Sequence, residues 1–225
     1  MRISAVAFDV DGTLYPNRMM YRLSIPVFLG HPRFTYHYNS VRKELRRQDS
    51  YDNFREQQAD LLAARLGTSR AKASELIQRR VYEQWTESLR RIRPFPYLRE
   101  TLTALRDRGL KLGVMSDYPP RQKLGYLGVE DFFSCAMASE DSGYLKPDRR
   151  PFMRLAECLE CVPSQILYVG DSYDYDVRGA SGVGMHTAHL TRKRATRRHC
   201  LSEPTADIRF SSYKVLPELV DQAFD

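Results

Sequence analysis

The sequence predicts an α/β protein: a parallel β-sheet with helices on both faces, interrupted near its start by a small all-helical domain. Three observations carry this. From about residue 97 onward, short apolar runs alternate with helical periods, and such alternation places crossover helices on both faces of a parallel sheet. The first run, Ile3-Ser4-Ala5-Val6-Ala7-Phe8, is nearly all apolar, as a central strand covered on both sides requires. Between Tyr15 and Arg93 no strand-like run occurs, and the chain is rich in Arg, Glu, Gln, Leu and Ala at helical spacing.

In chain order, residues 3–8 form the first strand, and Asp11-Gly12-Thr13 breaks it. Residues 16–48 are aromatic-rich and punctuated by Pro26, Gly30 and Pro32, which suggests two helices around a turn. Asp52 is read as the cap of a helix running to Leu66, stopped by Gly67. Thr68 or Ser69 starts the next helix, where Ala73, Leu76, Ile77, Val81 and Trp85 fall near helical spacing. Pro94 and Pro96 close the helical segment. Then follow a helix over 97–108, a strand over 110–115, a helix over 120–127 and a strand over 134–138. A helix over 150–159, a strand over 166–169, a helix over 175–181 and a strand over 185–189 come next. Residues 208–210 add an edge strand, and a last helix begins at 213. The expected division is an α/β core of residues 1–14 and 95–225, with a helical cap of residues 15–94.

A chain of 225 residues with 42% hydrophobic and 28% charged residues suits one core with an insert and excludes a disordered protein. No apolar run approaches the roughly 20 residues of a membrane span. Residues 3–8 are followed at once by Asp9 and Asp11, so they read as a strand and not as a signal core, and a cytoplasmic location is expected. Of the four cysteines, Cys158 and Cys161 have CxxC spacing, but they lie on a helix with no second pair. A structural zinc site needs four ligands, so reduced, partly buried thiols are expected for Cys135, Cys158, Cys161 and Cys200. His186 and His189 stand three apart on a strand, hence on opposite faces, which rules against chelation.

The net charge is +7 and unevenly spread: residues 15–95 hold 16 Lys/Arg against 8 Asp/Glu, and Arg192, Lys193, Arg194, Arg197 and Arg198 form a second cluster. Such patches can attract phosphorylated small molecules, nucleic acid or acidic surfaces, but a solvated face is the preferred reading of each. No nucleic-acid-binding motif accompanies them, so nucleic acid is not the expected partner. No feature of the sequence fixes an oligomeric state.

Four polar stretches follow predicted strands or lie beside their C-terminal ends, the edge where open α/β sheets bind ligands. They are Phe8-Asp9-Val10-Asp11-Gly12-Thr13-Leu14, Val114-Met115-Ser116-Asp117, Leu145-Lys146-Pro147-Asp148 and Val169-Gly170-Asp171-Ser172-Tyr173-Asp174-Tyr175-Asp176. Brought together, Asp9, Asp11, Asp171 and Asp176 repel one another by several kcal/mol per close pair where water is partly excluded, on the order of magnitude of Coulomb's law. A hard divalent cation is the natural compensation, and Mg2+ takes one or two carboxylates plus waters and phosphate oxygens. No His or Cys lies in these stretches, which argues against zinc. Lys146 adds positive charge, Ser116 a hydroxyl, and the turn after Asp9 backbone N–H groups for an anion. Together these are the parts of a phosphoryl-transfer site.

The four stretches, in this order, resemble the signature motifs of the haloacid dehalogenase-like superfamily, over residues 3 to about 190. The resemblance implies a Rossmann-like core and assigns roles. Asp9 would attack phosphorus and form an aspartyl-phosphate. Asp11 would protonate the leaving oxygen and then activate water, while its main-chain carbonyl binds Mg2+ with Asp9 and Asp171. Ser116 would hydrogen-bond the phosphoryl group. Lys146 would neutralise that group and orient Asp9, and Asp176 would hold Lys146 or a metal-bound water. Asp174 reads either as a further supporting residue or as a helix cap. Gly12 and Gly170 are expected for backbone geometry. One departure stands out: the family's usual Ser/Thr-Asn is here Ser116-Asp117, which adds a negative charge beside an anionic ligand.

The superfamily holds several chemistries, and Asp11 discriminates among them. Its dehalogenases lack the second aspartate, whereas phosphate chemistry needs the proton. Its phosphonate-cleaving members use a cap lysine, but Lys43 and Lys72 sit in charged helical stretches. The expected function is therefore Mg2+-dependent hydrolysis of a small phosphorylated metabolite, a nucleotide or a sugar phosphate. A phosphomutase, a non-catalytic phospholigand binder and a nucleic-acid binder are the alternatives. The aromatics Tyr15, Tyr21, Phe28, Phe34, Tyr36 and Tyr38 read either as a surface that stacks on a base or as the cap's own core, and the core is the preferred reading.

Overall fold

The computed structural model describes residues 2–47, 53–191 and 205–224. Six parallel strands form one sheet in the order β3-β2-β1-β4-β5-β6. They are β1 (Ala5–Phe8), β2 (Lys111–Ser116), β3 (Cys135–Ala138), β4 (Ile166–Gly170), β5 (His186–Leu190) and β6 (Ile208–Phe210). β1 lies at the centre, paired with β2 through Phe8 and Val114 and with β4 through Phe8 and Val169.

Alternation along β1 divides the core. Val6 and Phe8 join a cluster with Leu98, Leu102, Leu124 and Leu216. Those residues come from α6 (Leu98–Asp107), α7 (Arg121–Leu127) and α10 (Leu216–Phe224). Ala5 and Ala7 face the other side, packing with Phe152, Leu155 and Ala180. That side is covered by α8 (Arg149–Leu159) and α9 (Arg178–Ser181), the latter entered through a π-helical turn at Tyr173–Val177.

The segment between β1 and α6 is helical. Its elements are α1 (Asn17–Leu29), α2 (Pro32–Leu45), α3 (Phe54–Leu66) and α4 (Arg70–Ile77), which widens into a π-helical stretch at Gln78–Trp85 and ends in the short α5 (Thr86–Ser88). Of the residues read at helical spacing, Ala73, Ile77, Val81 and Trp85 are at most 6% exposed, while Leu76 is only partly buried. Asn53 caps α3, accepting from the Glu56 N–H at 3.3 Å. Asp52, the expected cap, lies outside the described residues, as do the 192–198 basic cluster and Cys200. Ser69 caps α4, accepting from Lys72.

Two expectations need correction. Cys135 and Cys158 are not reduced thiols: they are joined in a disulfide, with Cα atoms 5.9 Å apart. β3 and the last turn of α8 pack against each other, so residues 23 apart in sequence meet; spacing along the chain carries no trace of that. Cys161 is free. The aromatics of the helical segment also do not act as one core. Tyr15, Phe34 and Tyr38 are buried, but Tyr21 and Tyr36 are 62% and 73% exposed. Among the described residues, no helix is long and apolar enough to cross a membrane.

Candidate active site

Asp9 leaves the end of β1, Ser116 ends β2, and Asp171 follows β4, so three neighbouring strands deliver their polar residues to one point. Lys146 reaches the same point from the loop before α8. Its Nζ donates to Asp9 Oδ1 at 2.6 Å, to Asp176 Oδ1 at 2.7 Å and to the Tyr168 hydroxyl at 3.3 Å. The second oxygen of Asp9 accepts from Thr13 Oγ1 at 3.0 Å. Thr13 is itself fixed, its carbonyl accepting from the Tyr213 hydroxyl at 2.7 Å. Asp9 is thus oriented through both oxygens while only 5% exposed.

Asp11 is held differently. Lys123 donates to both of its oxygens, at 2.8 and 2.6 Å, and Ser116 Oγ donates to Oδ2 at 3.2 Å. The Tyr15 hydroxyl donates to Oδ1. Lys123 is completely buried, its ammonium 4.6 Å from the Trp85 ring centre and 5.6 Å from that of Tyr118.

Asp171 accepts from Asn17 Nδ2 at 2.8 Å, and Asp176 accepts from Ser172 N–H at 3.0 Å as well as from Lys146. Gly12 has φ +98°, and a Cβ there would collide with Asn17 and Asp171, so only glycine lets the first turn pass this close. A Cβ on Gly170 would collide with Asp176. Asp174 is neither a cap nor part of the site: Ser172 caps the turn, and Asp174 is exposed and pairs with Arg178 at 3.5 Å.

The electrostatics of the clustered carboxylates fit a cation. Asp9, Asp171 and Asp176 each place a carboxylate oxygen within 4.8 Å of the other two. Burial pushes the Asp9 carboxyl up; Lys146 opposes this, and the carboxylates of Asp176, Asp171 and Asp11 reinforce it. Burial, then Asp176, push Asp171 up to about 6. Lys146 is held well above its usual range: burial opposes its charge, but Asp176 and Asp9 overcome that. The donor set is all oxygen and in excess of its counterions, which fits a hard divalent metal.

The wall opposite the sheet comes from the helical segment. A cavity of about 550 Å3 lies between them, bounded by Asp9, Asp11, Ser116, Lys146 and Asp171 below and by Asn17, Met20, Tyr21, Phe28, Arg46 and Trp85 above. Two arginines of α2 and its C-terminus tie the halves together. Arg42 donates to Glu140 at 2.6 Å and to the Asp117 carbonyl at 2.9 Å, and Tyr82 donates to the other Glu140 oxygen at 2.8 Å. Arg46 pairs with the Asp117 carboxylate and donates to the Lys146 carbonyl at 2.6 Å. Asp117, the departure noted in the sequence, is therefore the counterion of Arg46.

The family model of haloacid dehalogenase-like hydrolases matches residues 3–184. The chain belongs to that family. As a haloacid dehalogenase-like hydrolase, it is 32% identical over 205 residues to a glyceraldehyde 3-phosphate phosphatase of Methanopyrus kandleri, covering 84% of each chain. The fold is shared with an HAD phosphatase from Thermococcus onnurineus (TM-score 0.63, 23% identity, all of both chains). It is shared equally with a 2-haloacid dehalogenase from Pseudomonas syringae pv. Tomato DC3000 (TM-score 0.69, 23% identity, 98% and 99% of the two chains). Architecture alone therefore does not select the reaction.

Asp9, Asp11, Gly12, Ser116, Asp117, Lys146, Gly170, Asp171 and Asp176 lie in or against the site and Asp174 does not; Lys123, Thr13, Asn17 and Arg46 join them unpredicted. Lys123 left a signal: it shares the buried stripe of α7 with Leu124 and Leu127, where a lysine has no place without a partner. The remaining three had none, because their partners are distant in sequence or their residue types are common in turns and helices. Lys43 and Lys72 are exposed, as expected.

Proposed function

We propose that this hydrolase is a Mg2+-dependent phosphatase acting on a small phosphomonoester, with Asp9 as nucleophile. The observation that carries the reading is the double anchoring of Asp9 by Lys146 and Thr13 beside Asp11 at the cavity floor. An attacking carboxylate needs one fixed direction of approach, and two hydrogen bonds on opposite oxygens supply it. Asp9 and Asp171, with the main-chain carbonyl of Asp11, would hold Mg2+, and Asp176, which accepts from Lys146 at 2.7 Å, would hold the lysine. Bound there, the metal would neutralise the carboxylates and polarise the phosphoryl oxygens.

Attack of an Asp9 oxygen on phosphorus forms the aspartyl-phosphate as the P–O bond to the alcohol breaks. Asp11 gives that oxygen its proton, and then takes one from the water that cleaves the acyl-phosphate. Lys123, Tyr15 and Ser116 keep the Asp11 carboxyl in one orientation during both steps. Lys146 balances charge on the transferring group, and Ser116 turns its hydroxyl to it when substrate is bound. Residues 15–94 serve as the cap over a core of residues 1–14 and 95–225, excluding water from the cavity.

The relative's name makes glyceraldehyde 3-phosphate the first metabolite to assay. A cytoplasmic location belongs to the same reading; the Cys135–Cys158 bond stands against it, since disulfides are rare in reducing compartments. The deciding experiment is phosphate release from p-nitrophenyl phosphate with and without Mg2+, in the wild type and in Asp9→Asn. Activity that needs the metal and falls by about 1,000-fold or more in the variant is expected for a lost nucleophile. Undiminished activity in Asp9→Asn would sink the mechanism.

A further inference from the structure

We infer that the site selects phosphomonoesters whose alcohol portion carries no charge, and that Asp117 sets this selectivity by occupying Arg46; the inference rests on the phosphatase reading above. Among the described residues lining the cavity, the only cationic side chains are Arg46 and Lys146. Lys146 is committed to Asp9, Asp176 and Tyr168. Arg46 is committed through two nitrogens and one face: one nitrogen to the Asp117 carboxylate, another to the Lys146 carbonyl, and its flat face to the Tyr175 ring, 4.5 Å from the ring centre. Asp117 is equally fixed, its other oxygen accepting from Ser139 Oγ at 2.8 Å.

The consequence is one of charge. Part of the cavity wall is apolar or neutral, from Met20, Tyr21, Phe28, Trp85 and Asn39, and no unpaired cation faces it among the described residues. A phosphoryl group has its own provision at the floor. A carboxylate or second phosphate on the alcohol would meet the Asp117 carboxylate and would find Arg46 already paired. Desolvating an anion without a partner is strongly unfavourable, and like charge adds to the penalty. An uncharged alcohol, aldehyde or aryl group meets neither obstacle. Exchanging Asp117 for asparagine would remove the repulsion and free the guanidinium.

The test compares two monoesters of the same carbon skeleton, glycerol 3-phosphate and 3-phosphoglycerate, at saturating Mg2+. The wild type should show a kcat/KM ratio favouring the uncharged alcohol by roughly tenfold or more, the scale at which one mismatched group discriminates. Asp117→Asn should shrink that ratio through a lower KM for 3-phosphoglycerate. Adding Arg46→Gln should remove the gain, because the freed guanidinium is what captures the carboxylate. Equal turnover of both esters by the wild type, or a parallel change of both in Asp117→Asn, overturns the inference while leaving the phosphatase reading intact. No turnover of any monoester, p-nitrophenyl phosphate included, overturns both. The wild-type ratio needs no variant, so a misfolded Asp117→Asn protein leaves the inference testable.

Discussion

Lys123 grips both carboxylate oxygens of Asp11, at 2.6 and 2.8 Å, from a position with no solvent exposure. The pair holds the carboxylate of Asp11, the acid/base group of the proposed mechanism, where it lines the cavity. Lys123→Met should therefore lower kcat by about 10- to 100-fold, within the usual worth of a positioned acid or base, and leave KM nearly unchanged. Steady-state kinetics on p-nitrophenyl phosphate check this, and a change confined to KM would contradict it. Lys123→Arg should recover part of the loss, since a guanidinium can restore the two-point contact.

Metal binding should be visible in stability and should depend on pH. Asp171 has its carboxyl raised from 3.8 to about 6, with burial the main cause and Asp176 next. Such a group favours the folded state when protonated, so its contribution without metal is present below the unfolded value. It is lost as pH rises through about 6. A divalent cation reverses that loss by taking the place of the proton. Millimolar Mg2+ should raise Tm at pH 7.5, and the increment should fade as pH drops through 6. A Tm increment that is flat between pH 5 and pH 8 would count against Asp171 as a ligand.

The Arg42–Glu140 pair links the helical segment to the turn after β3, with side chains 5% and 0% exposed. Removing one partner strands the other charge, so Glu140→Ala should cost about 3–5 kcal/mol. Urea unfolding gives the number. Replacing both residues with apolar side chains of similar volume should cost clearly less, which separates a stranded charge from lost packing.

Gly12→Ala should be damaging out of proportion to one methyl group. Its φ of +98° and the contacts a Cβ would make with Asn17 and Asp171 oblige the first turn to move. A loss of about 1–3 kcal/mol is expected from the backbone conformation alone, with a drop in Mg2+ affinity because Asp171 is displaced. Titration calorimetry with the metal reads the second effect.

Much of this was legible from residue order, and the exceptions have physical causes. Strands with an unbroken apolar run, such as residues 3–8 and 166–169, announced themselves, because a buried parallel strand tolerates no polar face. The aspartates and Lys146 were legible because each sits in a motif whose chemistry needs that residue. Lys123, Asn17 and Arg46 act through partners about 70 to 150 residues away, and no local pattern encodes such pairs. The Cys135–Cys158 bond was hidden for the same reason. Asp117 looked like an electrostatic defect only while Arg46 was out of view.

Lys146 faces two ways. Its ammonium holds the Asp9 carboxylate, while its backbone oxygen accepts from Arg46 at the end of α2. Whatever lifts α2 off the sheet must release a bond on the residue that aims Asp9. Under the proposed mechanism, any movement of α2 that opened the cavity would also disturb the aim of Asp9, because one residue carries both contacts.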